Sequence, residues 1–318
     1  MLRWLWMTLC LTLSSCGGGG ATQGATQPAA EPGRYISPQY TTGQLTTYTD
    51  VIYSTRPNVG GSQYTSDINM PKELGGAVLN LKLDVGVPPN ATAANPQPLI
   101  ILIHGGGFSA GGKEDYRQAA LSYARAGYVA ATINYRLTPN NINNATARLT
   151  AITNASDDAM NAIRYLKANA ALYHIDATRT ATIGNSAGGG ISLINAIEFD
   201  TFPNTVSDYP GVSSQVAAAI ATGATLIDRT ANFDSYLRYQ ATDTPVLLFH
   251  ANPTDSITGA TWVGNVLPTQ SRIDASGNTC GVVAQADMTH VVDLSPDGIW
   301  WSSLKPFLWD RLRLASMP

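Results

Sequence analysis

"TRTATIGNSAGGG", residues 178 to 190, carries a short run rich in Thr and Ile straight into a serine set among glycines. The run reads as a β-strand, and the small residues after it let a helix begin at once, near Ala187. A strand-to-helix turn that tight brings neighbouring backbones together, so Gly184 and Gly188 stand where a side chain would collide. Ser186 then lies at a helix N-terminus, where free amides and the helix dipole favour negative charge. Two readings follow: a nucleophilic serine, or a serine capping a Gly-rich turn.

Outward from this turn, strand and helix signals alternate. "VLNLKLDV" (78 to 85) alternates like an antiparallel strand, whereas "PLIILIH" (98 to 104) is the continuous apolar run of a strand buried on both faces. Further strands are expected at 128 to 135, 216 to 224, 245 to 250 and 281 to 286. Helical spacing marks 114 to 127, then 156 to 170 with Ser156 as N-cap and acidic residues in its first turn, and finally 299 to 314. This alternation predicts an α/β fold, a doubly wound, mostly parallel sheet flanked by helices. Residues 35 to 76 are polar and turn-rich, without the periodicity of a helical cap.

Composition bounds the rest. The chain has 318 residues, 44% hydrophobic and 13% charged, enough for one large core. Its formal net charge is −3 and it contains no basic run, so no nucleic-acid partner is expected. Residues 1 to 16, "MLRWLWMTLCLTLSSC", have one arginine, an apolar stretch and small residues, the layout of a secretory signal too short to span a membrane. Their end resembles a bacterial lipobox, which would make Cys16 the lipidated N-terminus of an exported envelope protein; an ordinary cleaved signal is the alternative. Residues 17 to 33 read as a Gly/Ala/Thr/Gln/Pro tether, and 34 to 318 as the folded body. Membrane contact is expected only through that anchor. Of the three cysteines, only Cys280 falls in the body, so no disulfide can form there.

Two further stretches carry chemistry: "IHGGGF" (103 to 108), after one predicted strand, and "PVLLFHANPTD" (245 to 255), on another. A serine needs a histidine to take its proton, and that histidine needs a carboxylate to hold its tautomer. His290 alone among the four histidines follows every candidate acid. Asp255 stands 35 residues before it, and Asp228 is the rival acid on the preceding loop. Together these motifs resemble the α/β-hydrolase superfamily, in its carboxylesterase and lipase branch with the His-Gly-Gly-Gly motif. The resemblance covers roughly residues 78 to 312. It implies a triad of Ser186, Asp255 and His290, with the backbone N–H groups of Gly106, Gly107 and Ala187 receiving the oxyanion. The acid loop departs from the family pattern, because "HANPTD" has one residue more than His-Gly-x-x-Asp and lacks its glycine.

No metal cluster, P-loop or dinucleotide motif appears, and no cofactor is expected. The resemblance therefore implies hydrolysis of small-molecule or polymer-linked carboxylic esters. Amide or peptide cleavage on the same triad and a non-catalytic binding role are the alternatives. Residues 225 to 244 and 198 to 214 are too short for a long amphipathic lid. An open, shallow cleft is expected over Ser186, bordered by Phe108 and Trp262, with short acyl groups preferred.

Overall fold

The computed structural model describes residues 33–57, 78–138, 141–201, 207–227, 233–287 and 289–317. The expected leader, Cys16, most of the tether and Asp228 lie outside the described residues. The body forms an eight-stranded sheet: β1 (Thr46–Pro57), β2 (Val78–Val87), β3 (Gln97–Ile103), β4 (Val129–Ile133), β5 (Ile175–Asn185), β6 (Ala218–Thr222), β7 (Val246–Ala251) and β8 (Cys280–Gln285). Their spatial order is β1-β2-β4-β3-β5-β6-β7-β8. The β1–β2 and β2–β4 pairs are antiparallel; every pair from β4 to β8 is parallel. This is the doubly wound, mostly parallel α/β sheet that the alternation predicts.

Helices cover both faces, as a parallel sheet requires. They are α1 (Arg117–Arg125), α2 (Ala145–Ala168), the single turn α3 (Ala170–Tyr173), α4 (Ala187–Glu198), α5 (Leu267–Ala275) and α6 (Trp301–Arg311). The period of two along β3 divides its apolar run between two cores. Leu99, Ile101 and Ile103 pack with Ile163, Ile191 and Leu193 of α2 and α4. Ile100 and Leu102 pack with Tyr123, Leu304 and Leu308 of α1 and α6.

Two local readings need correction. Helix α2 does not start at Ser156; its N-cap is Asn144, whose side chain accepts the Ala147 N–H at 3.0 Å. Ser156 is buried in mid-helix. The acids after it serve tertiary contact instead of a first turn: Asp158 holds Arg136 through Nε–Oδ2 and Nη2–Oδ1 bonds, both 2.8 Å. Strand β1 forms inside the segment read only as polar and turn-rich. It is an edge strand, mostly exposed along its first half, with a register shift between Tyr48 and Val51. Helix α5 forms in a stretch where no element is expected from the sequence.

Register positions the site. Ile103 pairs with Gly184, Asn185 with Thr222, and Ala251 with Gln285, so the loops leaving β3, β5, β6 and β7 emerge along one sheet edge. Chain order reverses direction between β3 and β5, the topological switch where open α/β sheets form their crevice.

Candidate active site

The turn from β5 to α4 is built by exclusion. An added Cβ on Gly184 would lie 2.0 Å from the Gly188 carbonyl oxygen, and one on Gly188 would lie 2.1 Å from that of Ile103. Packing this close leaves Ser186 at φ 49°, ψ −120°, a left-handed conformation costing about 1–3 kcal/mol in a non-glycine residue. Two backbone bonds hold it there. Its N–H donates to the Thr222 carbonyl at 2.8 Å, and its carbonyl accepts from Gly190 at 3.0 Å. Ala187 is the first helical residue after it, so its N–H has no partner within the helix.

Thr222 also fixes the other arm of the site. Its hydroxyl accepts the Val292 N–H at 3.1 Å, and next to it Gly223, at φ 65°, leaves no room for a Cβ, which would lie 2.1 Å from the His290 carbonyl. The corner after β6 therefore braces both Ser186 and the His290 loop.

His290 Nδ1 lies 2.6 Å from Asp255 Oδ2. The other oxygen, Oδ1, accepts the N–H groups of Ile257 at 2.9 Å and Thr258 at 2.8 Å. A bridge between Thr254 and Thr261 closes this loop. Burial alone would raise the Asp255 pKa, but the bonds from His290, Thr258 and Ile257 outweigh it and hold the carboxyl below its usual range. Nε2 of His290 is buried and makes no hydrogen bond among the described residues.

The His104-Gly105-Gly106-Gly107 loop follows a simple rule. In a trans peptide the N–H points opposite to the carbonyl, so whatever seizes one carbonyl aims the next N–H. The Gly105 carbonyl accepts from His104 Nδ1 at 2.8 Å and from the Tyr135 hydroxyl at 2.9 Å. The Gly106 carbonyl accepts from the N–H groups of Ser109 and Ala110, each at 3.0 Å. The N–H groups of Gly106 and Gly107 are thereby turned away from these partners and donate to nothing among the described residues. Both glycines are exposed and left-handed, at φ 98° and 61°. His104 is buried and stacked on Tyr135 with ring centroids 4.2 Å apart; burial pushes its pKa down to about 4, so the ring stays neutral. Its Nδ1 carries the proton, since a carbonyl can only accept.

Phe108 and Trp262 are less open than expected. Phe108 is 4% exposed, its ring covered by the Arg148 guanidinium at 4.7 Å from the centroid, so it offers almost no surface to a ligand. Trp262 is half-buried against the core. A cavity of about 740 Å³ lies on the α1 side of the turn, reaching Gly105 and Gly106 and lined by Leu102, Ile183 and Leu294 with the polar Asp115 and Thr222, but by neither Ser186 nor His290. Neither aromatic residue lines it. Among the described residues no group of His, Cys, Asp or Glu could hold a metal, and no helix is long and apolar enough to cross a membrane. Cys280 is buried, and its thiol is pushed up to about 12 by desolvation.

Known proteins share this architecture. Thermogutta terrifontis esterase 2 in its apo form superposes with a TM-score of 0.59 at 20% identity, covering 75% of this chain and 91% of that one. Its butyrate-bound form gives the same score, identity and coverage. The chain has the α/β-hydrolase fold. The BD-FAE family model matches residues 83–235 of the chain. Carboxylesterase NlhH of Mycobacterium tuberculosis is 34% identical over 100 residues, 31% of this chain and 28% of that protein. Ethyl acetate hydrolase of Pseudomonas putida is 32% identical over 110 residues, 34% of this chain and 32% of that protein. The matched stretch thus spans less than a third of either curated relative.

Sequence reading missed the residues that hold the His104–Gly107 loop. Tyr135, Asn141 and Arg148 come from the segment after β4, and nothing in their local pattern points to Gly105 or Gly107. Lys113 was missed as well. It is fully buried, binds Asp84 at 2.9 Å and Glu114 at 2.7 Å, and anchors the far end of the same loop.

Proposed function

We propose that this α/β-hydrolase is a serine carboxylesterase acting through an acyl-enzyme. The observation that carries the reading is the corner at Thr222 and Gly223, which braces a strained Ser186 and a His290 already paired to Asp255. In this reading His290 Nε2 takes the Ser186 proton as Oγ attacks the ester carbonyl. The oxyanion forms toward the N–H groups of Gly106, Gly107 and Ala187, each worth roughly 3 kcal/mol. His290 then returns the proton to the leaving alcohol. A water molecule, deprotonated by His290, attacks the acyl-enzyme, and the proton passes back to Ser186 as the acid departs.

The partial matches to a carboxylesterase and an ethyl acetate hydrolase support esters as the substrate class. Short acyl groups or esters on a larger, accessible substrate fit a site without a long amphipathic lid among the described residues. Amide cleavage on the same residues is the second outcome to be scored. We also propose export with lipidation at Cys16, resting on the lipobox-like end of the leader. A Cys16→Ser variant that stayed membrane-associated would remove the anchor.

Fluorophosphonate labelling tests the enzymatic reading. The wild type should gain one phosphonyl adduct at Ser186 and hydrolyse p-nitrophenyl acetate. Ser186→Ala should do neither while keeping its melting temperature. Unchanged hydrolysis by Ser186→Ala would refute the assignment.

A further inference from the structure

We infer that Arg148 is a positioning residue for the oxyanion loop, acting with Asn141 through the Gly107 carbonyl; this rests on the esterase reading above. Gly107 is exposed, lacks a Cβ and sits at φ 61°, so its own backbone permits both hands of helical conformation almost equally. Left alone, the peptide after it could flip, and rotation about Gly107 would carry the loop with the Gly106 and Gly107 N–H groups out of line. The peptide before it is held by Ser109 and Ala110. The peptide after it has no such turn, and α2 holds it instead.

Arg148 Nη1 donates to the Gly107 carbonyl at 3.2 Å and to Asn141 Oδ1 at 3.0 Å. Asn141 Nδ2 donates to the same Gly107 carbonyl at 3.1 Å and to the Thr138 carbonyl at 2.6 Å. Two donors thus converge on one carbonyl, and one donor orients the other. Asn141 is buried, so its amide has little freedom to turn. The guanidinium also covers the Phe108 ring, and the Phe108 carbonyl accepts the Thr138 N–H at 2.7 Å. Phe108, left-handed at φ 62°, is pinned from both sides.

The clamp is rigid because its base is a helix end. Arg148 is the fourth residue of α2, and its N–H bonds the carbonyl of the N-cap Asn144 at 2.8 Å. Arg148 touches no reacting atom. Its effect reaches the transition state by fixing the peptide after Gly107, and with it the place of the loop that carries the Gly106 and Gly107 N–H groups.

The test compares full-length wild type, Arg148→Met and Arg148→Lys. Methionine keeps an apolar stem over Phe108 and removes every donor; lysine restores one. Each preparation is titrated with a fluorophosphonate so that kcat is expressed per reactive serine. For p-nitrophenyl acetate, Arg148→Met should lose about tenfold to a hundredfold in kcat per site with KM little changed, the pattern of lost transition-state stabilisation. Arg148→Lys should recover part of that loss, and Asn141→Ala combined with Arg148→Met should cost less than the sum of the two. A lowered melting temperature with unchanged kcat per site would make Arg148 merely structural and overturn the inference. If Arg148→Met does not fold, Arg148→Gln, too short to reach the Gly107 carbonyl from the same place, decides: wild-type kcat per site with wild-type KM overturns it. A wild type that neither labels nor hydrolyses esters would instead refute the esterase reading, and this inference with it.

Discussion

His290 Nδ1 and Asp255 Oδ2 stand 2.6 Å apart, and the carboxylate that makes this contact is almost wholly buried. Its remaining oxygen is occupied by the N–H groups of Ile257 and Thr258, so the loop itself keeps Asp255 ionised and aimed. Asp255→Asn preserves the shape but offers an amide N–H or the wrong acceptor to Nδ1, stabilising the tautomer that cannot accept a proton at Nε2. We expect kcat to fall by about 10³- to 10⁴-fold with the fold intact. Asp228→Asn should stay within a few-fold of wild type. Stopped-time ester assays on both variants decide it, and a severe loss in Asp228→Asn alone would move the acid to the earlier loop.

Gly223 predicts a second effect on the same histidine. A methyl group at this position would meet the His290 carbonyl at 2.1 Å, on backbone that is already left-handed at φ 65°. Gly223→Ala must push the His290 loop away, and a displacement near 1 Å costs about a hundredfold in rate. Esterase activity and the rate of fluorophosphonate labelling should drop together. Wild-type rates would mean that the two loops are not braced against each other.

The difference between what was legible in the chain and what was not follows distance. Gly184 and Gly188 are readable because the collision they avoid lies within the turn or with the adjacent strand β3. The continuous apolar run of β3 is readable because both its faces are covered. Strand β1 was not, because an exposed edge strand needs no hydrophobic alternation and its order comes from pairing with β2. Ser156 imitated an N-cap because Asp157 and Asp158 follow it, yet Asp158 is there for Arg136. Starting α2 at Ser156 also hid Arg148, which lies in the first turns of the real helix. No local pattern links Arg148 or Tyr135 to a glycine loop more than 25 residues earlier; only the folded sheet brings them together.

Protonation of His104 gives a pH prediction. Burial depresses its pKa to about 4 in the folded protein, against about 6.5 in the unfolded chain. The unfolded state therefore binds the extra proton first, and the stability from the neutral ring, complete above pH 6.5, is lost as pH falls toward 4. Between pH 7 and 5 this amounts to about 2 kcal/mol. Asp157 and Asp243, both raised to about 6 chiefly by desolvation, oppose it, because each becomes easier to keep folded as it protonates. The comparison must therefore be between proteins. His104→Gln, less stable at pH 7, should lose less stability than wild type on going to pH 5, read from urea melts at both values. Parallel losses would place the titration elsewhere.

Acyl-chain preference tests whether the cavity on the α1 side of the β5–α4 turn, which neither Ser186 nor His290 lines, receives the acyl group. Leu102, Ile183 and Leu294 give it apolar surface, but Asp115, Asp293 and Asp297 share the lining, and at about 740 Å³ it is not a long apolar tunnel. Each methylene fully buried contributes about 0.8 kcal/mol, roughly fourfold in kcat/KM. That gain should operate for the first few carbons, then stop where a longer chain would have to lie against carboxylates that need water. In a series of p-nitrophenyl esters from acetate to dodecanoate, kcat/KM should therefore peak among the short chains and decline beyond them, with no jump in rate on emulsified substrate. Asp293→Leu, which replaces one carboxylate by an apolar side chain, should shift the peak toward longer esters. A steady rise through dodecanoate in the wild type would mean that the acyl chain lies outside this cavity, on a surface with no carboxylate in its path.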